Sequence, residues 1–202
     1  MAYTGQMRWA PDARGRLQGA ALDLFSEQGY AATTVPQITA RAGLTTRTFF
    51  RHFADKREVI FGGDEIPERA ARMIAAAPAE LAHMEVIRLV LHRVAQEQFE
   101  GHHEQTAEIR TLIHANDSLR DRDARKRDDM VRAVRAAFIE RGEPPLTATV
   151  VAELGILVFQ VSLDEWAADP DAPPMTAVID AVMHRLGDLS LSLRPSAAEP
   201  LG

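Results

Sequence analysis

Between Thr34 and Lys56 the chain concentrates hydroxyl, cationic and aromatic side chains at spacings that suit contact with duplex DNA. Thr45, Thr46, Arg47 and Thr48 follow a Gly43-Leu44 pair and open a short helical pattern. Threonine hydroxyls reach bases or phosphates, and an arginine can bind guanine through two parallel hydrogen bonds, so Arg47 is the expected base reader. Thr34, Arg41, Phe50, Arg51, His52 and Lys56 surround it and are expected to position the protein rather than to specify sequence. Thr34 and Lys56 in particular are placed at helix N-termini, where backbone N–H groups and the helix dipole favour a phosphate.

Such residues work only if the chain holds them in register. Leu17, Ala20, Ala21, Leu24 and Phe25 recur at helical spacing and predict a first amphipathic helix from Asp12 to Gln28, stopped by Gly29. Thr34-Val35-Pro36-Gln37 reads as a capping box with proline in the first turn, predicting a short helix from Val35 to Ala42. Thr45 can cap a second short helix reaching Phe53, and Asp55 to Glu58 forms another capping box that opens the helix leading out of the head. Two short helices joined by a tight Gly-Leu turn match the helix-turn-helix, whose second helix enters the major groove by its N-terminal residues. Ile38, Leu44, Phe49 and Phe53 would then hold the unit from behind.

The bulk numbers agree with this division. The 202 residues, 46% hydrophobic and 26% charged, suit a globular protein of two unequal domains. Residues 1–60 carry eight Lys and Arg against five Asp and Glu; with −6 overall, a head of +3 sits on a body of −9, and DNA contact belongs to the head. Absence of cysteine removes disulfides and thiolate chemistry. No apolar run is read as approaching the roughly 20 residues of a membrane span, and Met1 to Pro11 lacks the apolar core of a secretory signal, so a cytoplasmic address and no membrane partner are expected.

Apolar periodicity is helical from end to end, predicting an all-α protein: a helix-turn-helix domain over residues 1–60 and a larger helical domain over 61–202. In the body, Pro and Gly punctuation predicts five or six helices, the longest being Leu81 to Phe99, Asp117 to Arg141, Thr147 to Ala168 and Met175 to Leu193. Val150 to Val161 is apolar nearly all round and is expected to be buried on several faces, whereas the tail after Arg194 is expected to be disordered. Asp117 to Arg135 mixes both charges and reads as a solvated face. Adjacent His102 and His103 point about 100° apart on a helix and do not share an ion readily, so no metal and no cofactor are expected. No nucleophile elbow or Gly-rich catalytic loop is present, and no enzymatic activity is expected.

The run Ala20, Ala21, Leu24, Phe25, Gly29, Tyr30, Thr33, Thr34, Val35, continued by Ile38, Ala42, Gly43, Leu44, Thr45 and closed by Phe50, His52, Phe53, Lys56, resembles the DNA-binding head of the TetR family over residues 14–60. The resemblance implies that Thr34, Thr46, Phe50, His52 and Lys56 lie against the sugar-phosphate backbone, with Arg47 and Thr48 in the groove. Phe50 stands where the family usually has Tyr, removing a phenolic contact; Arg47 stands where a small residue is common, implying a different operator.

The resemblance also implies a homodimer through the last two long helices, a palindromic DNA operator and release by a small-molecule effector. Val150, Val151, Leu154, Leu157, Val158, Val161, Val178, Val182, Leu186 and Leu189 support the dimer on their own terms, offering more apolar face than one small core needs. Candidate effector contacts are Met84, Ile87, Leu91, Phe99, Ile109, Ile113, Met130, Val134, Phe138, Phe159 and Trp166, with His92 and His114 as polar handles. The alternative is a helical small-molecule-binding protein or enzyme without specific DNA binding, which would show no salt-dependent DNA affinity.

Overall fold

A computed structural model describes residues 13–61 and 66–192, and among these it contains helices and no strand. Contacts within the chain divide it into two units, Met1–Asp64 and Glu65–Gly202. Asp12, expected to begin the first helix, and the tail after Arg194 lie outside the described residues.

The first unit holds α1 (Ala13–Gln28), α2 (Val35–Arg41), α3 (Thr46–His52) and α4 (Glu58–Phe61). Leu17, Ala20, Ala21, Leu24 and Phe25 form the buried stripe of α1, as their spacing predicts, and α1 packs on α2, α3 and α4. Gly29 ends α1 at φ 85°, a left-handed conformation that glycine adopts without steric cost. The two short helices end one residue earlier than expected. Ala42 and Phe53 leave the helical ladder while their N–H groups still donate to Ile38 O and Phe49 O, at 2.9 Å each. The described part of α4, the helix expected to lead out of the head, covers four residues.

The second unit holds α5 (Ile66–Ala76), α6 (His83–Gln98), α7 (His103–Ala115), α8 (Asp117–Glu140), α9 (Pro145–Ala168) and α10 (Met175–Ser192). Its breaks fall at the expected Pro and Gly punctuation, with Gly101 at φ 80° and Gly142 at φ 95°. Its core gathers Ile74, Val86, Ile87, Phe138, Ala148, Ala152, Val158, Trp166, Met175 and Ile179 around α9.

α9 departs from expectation twice. Against the expectation of no apolar run near the length of a membrane span, it could cross a membrane by length and composition, at a mean hydropathy of 1.8; 44% of that stretch is buried. Burial is also one-sided. Val151, Ala152, Gly155, Ile156 and Val158 are buried, but Leu146 is 77%, Val150 48%, Leu157 42% and Val161 38% exposed. These four fall within an arc of about 60° on a helix turning 100° per residue, so they form one open apolar stripe.

The inner face of α9 is tight where it meets α6. A Cβ added to Gly155 would lie 2.8 Å from Ile87 Cδ1 and 3.2 Å from Ile87 Cγ2, whereas one added to Gly19 in α1 meets nothing within 4 Å. Gly155→Ala is therefore expected to destabilise by about 1–3 kcal/mol through overpacking, less the helix-propensity gain, while Gly19→Ala stabilises by about 0.5–1 kcal/mol. Urea unfolding of the two variants should shift in opposite directions.

Candidate nucleic-acid interface

The turn between α2 and α3 is built from side-chain caps. Thr34 adopts an extended conformation, its Oγ1 accepts from Gln37 N at 3.4 Å, and its own N–H donates to Gln37 Oε1 at 2.8 Å, completing the capping box. The Thr34 hydroxyl also donates to Gln37 Oε1 at 2.9 Å. Gly43 takes φ 63° and Leu44 N donates to Thr39 O at 2.8 Å, turning the chain sharply. Thr45 caps α3, its Oγ1 accepting from Thr48 N at 3.1 Å and lying 3.0 Å from the Thr48 hydroxyl.

Helical phase then decides what α3 presents. Phe49 on α3 and Phe53 just past its end are 0% and 3% exposed, their ring centroids 5.5 Å apart. Thr45, Thr46, Arg47, Phe50 and Arg51 are left facing outward, with Phe50 56% exposed and edge-on to Phe49 at 5.3 Å between ring centroids. Thr48 and His52 are half-buried beside them. Among the described residues, no hydrogen bond or ion pair holds Arg47. Its guanidinium is available to a ligand, while Arg51 leans on His52 Nε2 at 3.4 Å.

Two cations assigned to phosphate are engaged inside the unit. Arg41 forms a two-pronged pair with Glu27, at 2.8 and 2.6 Å. Hydrogen bonding to Arg41 holds the Glu27 carboxyl below its ordinary range, and the same contact raises Arg41. Lys56 precedes α4 rather than standing open at its N-terminus. Its ammonium donates to Tyr30 O at 2.6 Å and Thr33 O at 2.7 Å, and lies 4.1 Å from the centre of the Tyr30 ring. Burial pushes it below the usual lysine range, against the two carbonyls that favour its charged form. One of three ammonium hydrogens is left for a phosphate.

Several residues that brace the interface carry no assignment from the sequence alone. Thr33 is 1% exposed and donates its hydroxyl to Leu24 O and Gly29 O at 3.2 and 2.9 Å. Arg16 donates to Ala42 O at the end of α2. Arg14 stacks over the Phe53 ring at 5.3 Å. Apart from Thr33 to Gly29 O, four residues back, these contacts span nine residues or more, and no local spacing rule points to them.

Among the candidate effector residues, Phe159 and Trp166 meet Phe99, with ring centroids 6.0 and 6.2 Å apart. Ile87, Leu91, Ile113, Val134, Phe138 and Trp166 are buried; Met84, Phe99, Ile109, Met130 and Phe159 are half-buried. His92 Nε2 meets Asp180 Oδ1 at 2.8 Å, joining α6 to α10, while exposed His114 lies 3.6 Å from Asp164. His102 and His103 diverge, the first toward Glu100 O and the second onto Trp166 O at 2.8 Å. A cleft of about 240 Å³ runs beside Leu81, His83, Phe138, Arg141 and Glu143, and of the candidates Phe138 alone lines it. Arg110, 7% exposed, ties α7 to Asp164 on α9 and, at 3.4 Å, to Asp123 on α8.

Residues 19–61 match the family model described as bacterial regulatory proteins, tetR family. The HTH-type transcriptional regulator TcmR of Streptomyces glaucescens is 42% identical over 93 residues, 44% of this chain and 41% of that protein. HbdR of Aromatoleum sp. (strain CIB), another HTH-type transcriptional regulator, is 40% identical over 50 residues, 25% of this chain and 22% of its own. The chain thus spans less than half the length of the relatives it matches in sequence. At the level of fold, it resembles NalD of Pseudomonas aeruginosa, the secondary repressor of the MexAB-OprM multidrug efflux pump, with TM-score 0.58, 17% identity and coverage of 87% and 94%. The SmeT–triclosan complex gives TM-score 0.55 at 18% identity, covering 85% and 90%.

Asp55 gives the head a testable acid response. Its carboxylate accepts from Arg57 N at 2.7 Å and Glu58 N at 3.2 Å, and its hydrogen bonds to the Arg57 side chain hold its pKa below the ordinary 3.8. A depressed folded pKa contributes stability above the unfolded value, lost as pH falls below about 3.8 toward the folded one. Asp55→Ala is expected to lower head stability by about 0.5–2 kcal/mol near neutrality and to shrink that acid loss. Helical signal followed from pH 7 to pH 2 measures both.

Proposed function

We propose that the chain, whose residues 19–61 match the tetR family model, is a cytoplasmic transcriptional repressor of that family. It binds a palindromic operator as a homodimer and is released by a small-molecule effector. The observation that carries this reading is the outward row Thr45, Thr46, Arg47, Phe50 and Arg51 on a helix whose opposite side is fixed by Phe49 and Phe53. A major groove about 12 Å wide admits one such helix. Arg47 reads a base, and Thr34, Thr46, Phe50, Arg51 and His52 lie toward the backbone; Arg41 and Lys56 act chiefly by keeping α2 and the loop before it in place.

One head makes too few contacts to select a site in a genome, whereas a twofold dimer reads two half-sites about one helical turn apart. The stripe Leu146, Val150, Leu157 and Val161 on α9, with Leu189 on α10 at 55% exposure, supports self-association through these helices. Its apolar character favours burial against an identical copy over solvation. The effector acts through different affinities for DNA-competent and incompetent arrangements. Triclosan bound to SmeT, a protein of similar fold, supports a small organic molecule in that role.

The reading is tested by selecting duplexes from random DNA with the purified chain. Arg47→Ala is expected to weaken the selected site by about 1–3 kcal/mol and to relax preference at one position per half-site. Equal losses on all sequences would remove base reading. Absence of salt-dependent binding in the wild-type chain would leave the ligand-binding alternative. Independently, sedimentation should give a dimer at micromolar concentration and a monomer for Leu157→Glu; a monomeric wild type contradicts the dimer.

A further inference from the structure

Ser162, in the middle of α9, is 0% exposed, and its hydroxyl has no hydrogen-bond partner. A buried hydroxyl left unpaired costs about 1–3 kcal/mol, and a helical serine ordinarily avoids this by bonding back to the preceding turn. Here the hydroxyl does neither. Its surroundings can be read from the helix itself. Positions 155, 159, 162 and 166 fall within an arc of about 60° at 100° per residue. Gly155 faces Ile87 of α6, and Phe159 and Trp166 meet Phe99 just past the end of α6, with ring centroids 6.0 and 6.2 Å apart. Ser162 therefore faces α6 too, between those two contacts and roughly level with Ala95, which is itself 0% exposed.

The spot combines three features. Two small, fully buried side chains, Ser162 and Ala95, come at about the same level of α9 and α6, so neither helix carries a bulky side chain there. Next to them is an aromatic group in which Trp166 takes Phe99 edge-on at 84° and His103 edge-on at 79°, the latter 4.5 Å away. His103 is committed elsewhere through Trp166 O. Phe99, Phe159 and His103 are only half-buried, so the aromatic group has an edge reachable from solvent. Aromatic rings prefer the edge-to-face and offset arrangements already present here, and a further flat ring fits that preference.

We infer that this α6–α9 seam is the effector site and that it takes a flat aromatic molecule bearing one oxygen able to hydrogen-bond, with Ser162 as its polar contact. The ring slides among Phe99, Phe159 and Trp166, and its oxygen pairs the Ser162 hydroxyl. The inference rests on the repressor reading for its regulatory role, though not for the binding itself. A site whose polar group is otherwise unpaired discriminates strongly for a ligand that satisfies it, because the analogue without the oxygen leaves the hydroxyl as it was.

Two ligands of nearly equal shape test this: 2-naphthol and 2-fluoronaphthalene, titrated calorimetrically into the full chain, wild type and Ser162→Ala. The wild type is expected to bind 2-naphthol about threefold to tenfold more tightly than 2-fluoronaphthalene. Ser162→Ala should abolish that preference by weakening 2-naphthol alone, and should leave the ligand-free melting temperature unchanged or raised, since it removes an unpaired group. Failure of both compounds to bind, a preference that survives in Ser162→Ala, or a marked drop in the variant's ligand-free melting temperature would each overturn the proposal. DNA binding of the ligand-free chain is measured separately. Its loss would remove the repressor reading and leave the seam's ligand chemistry standing, whereas failure of the calorimetry alone would remove the seam and leave the repressor.

Discussion

Burial of Phe49 on a seven-residue helix, and of Phe53 just past its end, is the constraint from which the rest of the head follows. Each ring transfers about 1.5–3 kcal/mol of apolar surface out of water, far more than any contact available on the opposite side of so short a helix. Rotating α3 to hide Phe50 or Arg47 would expose both rings, so phase is fixed by the core and the outward row inherits it. Thr45 sets where the helix begins. Gly43 sets the angle at which it departs, at φ 63° and with Arg16 filling the space a larger side chain would need. The outward row is thereby placed on an element whose orientation is set by the core.

Local signals made most of this legible. The capping box at Thr34, the glycine stops and the Phe49–Phe53 spacing each act within five residues, which is the range over which sequence pattern and backbone hydrogen bonding are directly coupled. Contacts between distant segments were not legible. Arg41 and Glu27 are fourteen residues apart and Lys56 reaches back across the α1–α2 loop, so nothing in their neighbourhoods distinguishes a bracing cation from one open to phosphate. In the body, helix boundaries followed Pro and Gly, yet the apolar length of α9 concealed two different uses. One face packs against α6, α8 and α10; another carries the open stripe from Leu146 to Val161. Hydrophobicity alone cannot separate a core face from an exposed apolar one, because both read alike in the sequence.

Charge and packing divide the labour in the same way. The head carries the net positive charge and its exposed arginines, while the body carries the net negative charge. Among the described residues of the body, buried polar side chains are paired, as Arg110 is by Asp164, and the exception at Ser162 stands out against that background.

The central claim is that residues 34–53 form the surface that meets DNA. Amide hydrogen exchange of the full chain, with and without a selected duplex, tests it most directly. Slowed exchange concentrated in α3 and the Gly43 turn is the predicted result. Exchange that slows only in the second unit, with Thr45 to Arg51 unchanged, would contradict it.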